Sequence, residues 1–194
     1  MTTGFAEAFE RSIRNGGGRG PAALVTRRRE AFERFSTAGF PSTKDEDWRF
    51  TPVAPIARAD WSLDSGRLAA GKPVTAAALE PFRFGQPGWA TLVFVNGRFD
   101  PGLSHRPDLP AGVTAEPFAE ALGRDPGFIE RSFGQVAAPE ATSFAALNAA
   151  LAHEGAVIRV AAGVDLADPI HILHVTTPGA EGTALFTRTI LVVE

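Results

Sequence analysis

The sequence feature that most constrains the fold is a series of strand-like segments in the last forty residues. Three segments rich in β-branched residues, separated by turn residues, occupy positions 156–160, 169–175 and 184–193. Their starts recur about every fourteen residues, a spacing typical of a sheet built coil upon coil, as in a β-helix, or of a meander. The pattern predicts a β-rich C-terminal part in which the last strand is the longest.

The last predicted strand, which ends in Ile190-Leu-Val-Val-Glu194, has an unprotected apolar edge. Proteins usually cover, twist or charge such an edge, because its unpaired N–H and C=O groups invite another strand. We therefore expect this chain to be the front part of something longer, or a domain whose edge is covered by a partner.

Composition narrows the classes of function. Apolar residues make up 44% and charged residues 21% of the 194 positions, as is typical of soluble globular proteins. The net charge of −3 gives no reason to expect nucleic acid or an anionic membrane as a partner. The absence of cysteine excludes disulfides, thiolate catalysis and thiolate ligation of zinc or iron–sulfur clusters by this polypeptide. The first ten residues contain acids where a secretory signal is basic and then apolar, which predicts a cytoplasmic protein.

The order of the predicted elements divides the chain into two parts. Residues 1–142 should form a mixed helical region with one hairpin near 92–99, where Asn96-Gly97 is the strongest two-residue hairpin turn. Periodic apolar residues and capping signals predict the helices of this region, which are expected at 5–13, 21–39, 114–122 and 125–133. Residues 143–194 should form a lead-in helix, with Phe144, Leu147 and Leu151 on one face, and then the strands.

Two stretches in the N-terminal part carry charge or glycine without a clear chemical motif. The glycine-rich residues 15–20 have no strand before them and no Gly-Lys-Ser/Thr after them, which favours a hinge over a phosphate-binding loop. Arg27-Arg28-Arg29 is the one basic cluster, and the i, i+4 pair Glu30 and Arg34 favours a solvated helix face over a nucleic-acid patch.

The densest local signature lies just after the second predicted helix. Thr43 followed three residues later by Glu46 fits a capping box, with acids Asp45–Asp47 in the first turn. As general acids or metal ligands these three residues would diverge, because consecutive helical positions are about 100° apart. We interpret the segment as a short capped helix that buries Trp48 and Phe50 in a core.

The residues offer little support for enzymatic chemistry. His171 and His174 are three apart on a predicted strand, so they should point to opposite faces and cannot share a metal ion. Asp165, Asp168 and Glu181 lie at turns, whereas polysaccharide cleavage on a β-helix needs converging carboxylates. A β-helix carbohydrate-active enzyme and a cupin-like small-ligand-binding β-domain remain the alternatives to a structural or scaffolding protein. No catalytic, cofactor-binding or metal-binding residue is predicted.

Four segments, in the same order, resemble the SufB/SufD family of iron–sulfur cluster assembly proteins, and within it the SufD branch. These segments are residues 41–52, residues 92–99 with Leu103-Ser104 behind them, residues 144–158 and residues 163–170. The resemblance covers the chain from about residue 40 to residue 194.

The resemblance implies an α+β fold, in which a helical N-terminal region with a small hairpin leads into the first rungs of a right-handed β-helix, truncated here. It also implies a non-catalytic scaffold or accessory subunit in a cytoplasmic complex with a SufB-like paralogue and a SufC-like ATPase. The family pairs SufD with SufB through the β-helix and with SufC through C-terminal helices. Because this sequence matches neither the far end of the β-helix nor those helices, no functional residue is carried over, and no cofactor is expected on this segment.

Overall fold

The structure is a computed structural model that describes residues 3–14, 20–63, 73–84, 86–179 and 182–194. Its α-helices are α1 (Thr3–Ser12), α2 (Ala22–Ala38), α3 (Ala54–Arg58), α4 (Ala76–Leu79), α5 (Phe118–Arg124), α6 (Pro126–Ser132) and α7 (Ser143–Leu151). Its strands are β1 (Thr91–Val95), β2 (Arg98–Phe99), β3 (Val113–Pro117), β4 (Ala156–Val160), β5 (His171–Val175) and β6 (Ile190–Val193). Short 3-10 helices occupy Glu46–Trp48 and Glu80–Phe82. The α+β prediction is therefore confirmed.

The chain folds into two compact units, each assembled from separate segments. The first comprises Met1–Leu63, Pro126–Ala152 and Gly182–Ala184, and the second comprises Asp64–Asp125, His153–Glu181 and Leu185–Glu194. Helices dominate the first unit, and all six described strands lie in the second. The division of the sequence into residues 1–142 and 143–194 stays a prediction. No helix in the described part of the chain is long and apolar enough to cross a membrane.

The helical unit is built around the packing of α2 on α7. Its centre is Phe35, which is 0% exposed and makes edge-on ring contacts with Phe5 and Phe40 at centroid distances of 6.1 and 5.1 Å. Edge-on aromatic pairs add to the stabilisation that burial alone provides. The predicted amphipathic helix at the N-terminus is confirmed, since α1 buries both Phe5 and Phe9.

The predicted short helix after α2 differs from the one observed. Asp45, rather than Thr43, precedes the 3-10 helix, and its carboxylate accepts hydrogen bonds from the backbone N–H and hydroxyl of Ser42. The expected capping box is therefore wrong, because this Asp–Ser turn supplies the local hydrogen bonds instead. Trp48 is half-buried against Phe144, at a centroid distance of 5.2 Å, whereas Phe50 is 88% exposed and its predicted core position is wrong.

The second unit contains two three-stranded sheets, with strand orders β2-β1-β5 and β3-β4-β6. The predicted hairpin is confirmed: β1 and β2 pair antiparallel, with Asn96 (φ 50°) and Gly97 (φ 76°) both left-handed, as a tight hairpin turn requires. β1 also pairs parallel with β5, and β4 lies between antiparallel β3 and parallel β6. The sheets are small, and by themselves they do not constitute a β-helix.

Several elements begin or end at residues that differ from the predicted ones. Thr114 lies inside β3 and does not begin a helix, because residues 113–117 pair in register with β4. β5 begins at His171 and β6 at Ile190, so the last strand is four residues long and is not the longest. In the helical unit α7 begins at Ser143, and the preceding Thr142 caps it by accepting the Ala145 N–H at 3.0 Å.

Candidate functional site

The C-terminal strands of the second unit form one turn of a coil. The chain leaves β4, passes through β5 in the other sheet, and returns as β6, parallel to β4 and directly beside it. The register pairs Val157 with Ile190 and Val160 with Val193. A chain that returns parallel to its own earlier strand presents a new edge to which a further parallel strand can pair.

Gly155 is the point at which this coil closes. An added Cβ atom would lie 2.1 Å from the carbonyl oxygen of Arg188, and Gly155 has φ +135°, a conformation that residues with a side chain rarely adopt. Next to it, the N–H of Arg188 donates to the carbonyl of Glu154 at 2.9 Å, and Glu154 and Thr187 form a parallel bridge. The missing side chain therefore allows the returning segment to approach closely enough to align β6 with β4.

One face of β6 carries an apolar row that the described chain leaves uncovered. Ile158 and Val160 on β4 face a buried apolar cluster, and register places Leu191 and Val193 beside them on the same face. Leu191 is nevertheless 61% exposed and Val193 is 68% exposed. We call Leu191 and Val193 the β6 row. Among the described strands β6 is paired on one side only, so the row accompanies a free backbone edge.

β5 forms the corresponding edge of the other sheet among the described strands. Beside it lies the largely exposed side chain of Phe84, whose ring is 6.2 Å from that of His171. The loop between β4 and β5 contains Asp165 and Asp168, both exposed. The free strand edges thus combine unpaired backbone with apolar side chains, which suits association with another strand better than catalysis.

Asn96 ties the hairpin turn to the end of β5. Its buried side chain donates to the hydroxyl of Thr177 at 2.8 Å and accepts the Thr177 N–H at 3.0 Å. Its own N–H donates to the carbonyl of Val175 at 2.8 Å. The amide side chain therefore continues the hydrogen bonding between β1 and β5 beyond the last residue pair and fixes their register.

Replacing Asn96 by Gly should remove the two side-chain hydrogen bonds while retaining the left-handed backbone. We expect the free energy of unfolding to fall by about 1–3 kcal/mol, because the Thr177 groups lose buried partners. Thr177→Val, which keeps the backbone N–H but removes the hydroxyl acceptor, should cost less. Urea denaturation followed by circular dichroism measures both changes, and equal stability of Asn96→Gly and the parent would contradict the assigned role.

The carboxylate of Glu154 is largely buried where the hairpin approaches β4. Burial raises the pKa of Glu154 above its ordinary value of 4.5, against the opposing effects of His153, Arg98 and a hydrogen bond from the backbone N–H of Phe99. The folded protein thus holds this proton more tightly than the unfolded chain. Stability should fall as pH rises from 4.5 through the raised pKa.

Replacing Glu154 by Gln should increase the free energy of unfolding at neutral pH, because the amide retains an acceptor oxygen and carries no charge. This gain in the free energy of unfolding should vanish when the pH falls well below 4.5, where Glu154 is protonated in both the folded and the unfolded chain. Thermal denaturation across this pH range measures the effect, with Glu33→Gln on the exposed face of α2 as a control. A constant difference at every pH would show that the charge of Glu154 is not its cause.

The two histidines of β5 contact different aromatic side chains. His174 stacks on Phe94 at a centroid distance of 5.0 Å, and His171 lies beside Phe84. Burial lowers the pKa of His174, which favours the neutral ring. Within the described ranges, no group of three or more His, Cys, Asp or Glu side chains is placed to hold a metal ion. Glu181 and most of the glycine-rich stretch, residues 15–19, lie outside the described residues.

The basic cluster on α2 is partly structural, which the sequence did not predict. Arg28 is 2% exposed, lies over the ring of Phe133 at 5.5 Å and donates to the carbonyl of Ala150 in the last turn of α7. Arg27 donates to the carbonyls of Glu130 and Phe133 at the C-terminal end of α6. The C-terminal ends of α6 and α7 carry partial negative charge, which favours a cation at each of these positions. The solvated-face interpretation is therefore wrong for Arg28.

A groove of about 760 Å³ in the helical unit lies beside this cluster, between α2 and residues 133–140. Its charged lining includes Arg27, Arg34 and Glu140. Arg34 forms an ion pair with Glu140 at 3.1 Å across the groove, in place of the predicted pairing with Glu30 on α2. Arg27 and Arg34 thus both contact carbonyl or carboxylate oxygens of the same unit.

Comparisons of the sequence with known proteins identify the family of this chain. Residues 5–172 match the family model described as "SufBD protein N-terminal region". The chain is also 30% identical over 172 residues to an iron–sulfur cluster assembly SufBD family protein of Synechocystis sp., an alignment that covers 88% of this chain and 36% of that protein. The chain thus spans about a third of the length of this curated relative. By these matches, the chain belongs to the SufBD family and carries its N-terminal region.

Proposed function

We propose that this chain is part of a scaffold or accessory subunit of the SUF iron–sulfur cluster assembly complex and acts through protein–protein contacts. Family membership supports the assembly role, since the Synechocystis relative is described as an iron–sulfur cluster assembly protein. The observation that carries the proposal is the coil of β4, β5 and β6, with its exposed β6 row and free edge. These features suit association with another strand.

The coil is proposed to begin a β-helix. In such a fold each coil lies parallel to the one before it, and apolar side chains stack in rows inside the coils. Ile158 beside Leu191 and Val160 beside Val193 form two steps of such rows. A following parallel strand would pair with β6, and side chains from the following coil would cover the β6 row, as Val164, Leu166 and Ile170 cover Ile158 and Val160.

The proposed partners are a SufB-like paralogue and a SufC-like ATPase in the cytoplasm, with this chain on the SufD side of the pair. The segment itself is proposed to be non-enzymatic and to bind no cofactor, the cluster being the product of the whole complex. A carbohydrate-active β-helix enzyme or a cupin-like domain is less well supported, because Asp165 and Asp168 are exposed in a loop and the β5 histidines contact separate aromatic rings.

Co-expression with SufB-type and SufC-type subunits from the same source tests this proposal. Two forms are compared: residues 1–194, and a version that includes any in-frame coding sequence downstream. We expect the extended form to purify with both subunits, because the family pairs through the β-helix and later helices. If neither form associates with either subunit, the proposed partners are wrong, although membership of the family would stand.

A double variant and a matched control test the contribution of the β6 row to formation of the complex. The double substitution Leu191→Lys and Val193→Lys introduces two charges on that row, which should hinder any strand that would pack over it. The matched control is Val136→Lys in the helical unit, where the side chain is 99% exposed. We expect the double variant of the extended form to lose soluble complex and the control to retain it. Equal yields would show that the β6 row remains uncovered in the complex.

A further inference from the structure

We draw no further inference here: the strongest candidate, the groove between α2 and residues 133–140, has arginines that already bind carbonyls at the C-terminal end of α6 and the Glu140 carboxylate, so nothing in the structure indicates what ligand it would take.

Discussion

Replacing Gly155 by Ala is expected to destabilise the strand-containing unit by about 2–6 kcal/mol, since strained backbone and overpacking each cost about 1–3 kcal/mol. The added Cβ would lie 2.1 Å from the carbonyl oxygen and 2.7 Å from the carbonyl carbon of Arg188, both backbone atoms that cannot rotate away. The φ of +135° adds strain for any residue with a side chain. The segment before β6 must therefore move outward, and its pairing with β4 weakens.

The matched control for this variant is Gly163→Ala in the loop between β4 and β5. Gly163 also has a positive φ, of +73°, but an added Cβ meets nothing within 4 Å. Its replacement should therefore cost only the left-handed backbone, about 1–2 kcal/mol. Urea denaturation gives the total effect, and amide hydrogen exchange locates it. Faster exchange in β4 and β6 for Gly155→Ala alone is the expected result, whereas equal behaviour of the two variants would show that the close approach to Arg188 does not constrain the coil.

Replacing Phe35 by Ala should destabilise the helical unit by about 3–5 kcal/mol, the range for a large buried aromatic side chain. Phe35 is 0% exposed, and its ring contacts Phe5 on α1, Phe32 on α2 and Phe40 after α2. Its removal leaves a cavity that neighbouring rings on three segments must fill. We expect the α1 amides to exchange faster as well, because α1 loses an aromatic partner on α2.

Phe50→Ala is the control for this second variant, because it removes the same number of atoms from a side chain that is 88% exposed. Its effect should stay within about 0.5 kcal/mol, as is usual for surface substitutions. Thermal denaturation of both variants gives the comparison. A large loss for Phe50→Ala would restore the interpretation, made from the sequence, that Phe50 lies in a core.

The elements that were predicted correctly are those specified by residues close together in the sequence. The Asn96-Gly97 turn was predictable because few residues tolerate two successive left-handed conformations, and both residues adopt them. β4 was predicted at its observed bounds because turn residues on both sides of a β-branched run mark where the strand begins and ends. α1 and α6 were predictable in the same way, from apolar periodicity and from Asp125-Pro126.

Long-range pairing decided the elements that the sequence misplaced. Thr114 has the side chain of a helix cap, but residues 113–117 extend because β4 offers a complete antiparallel partner. Because its sequence neighbours are charged, Arg28 was interpreted as a surface residue. Its spacing from Leu24, Ala31 and Phe35 nevertheless places it on the same buried helix face, a signal that the sequence contained. What the sequence lacked was any indication of the carbonyl groups and aromatic ring that receive the guanidinium.

The sequence by itself determined the α+β class, the hairpin and the resemblance to the SufBD family, because each follows from local patterns and their order along the chain. Only the tertiary structure decided that β6 returns parallel to β4, that Gly155 permits this approach, and that Leu191 and Val193 lie exposed along the new edge. The physical reason is that strand pairing joins residues far apart in the chain, and either neighbour can satisfy the same N–H and C=O groups. The choice between neighbours depends on which side chains become buried together, and that is set by the packed unit as a whole.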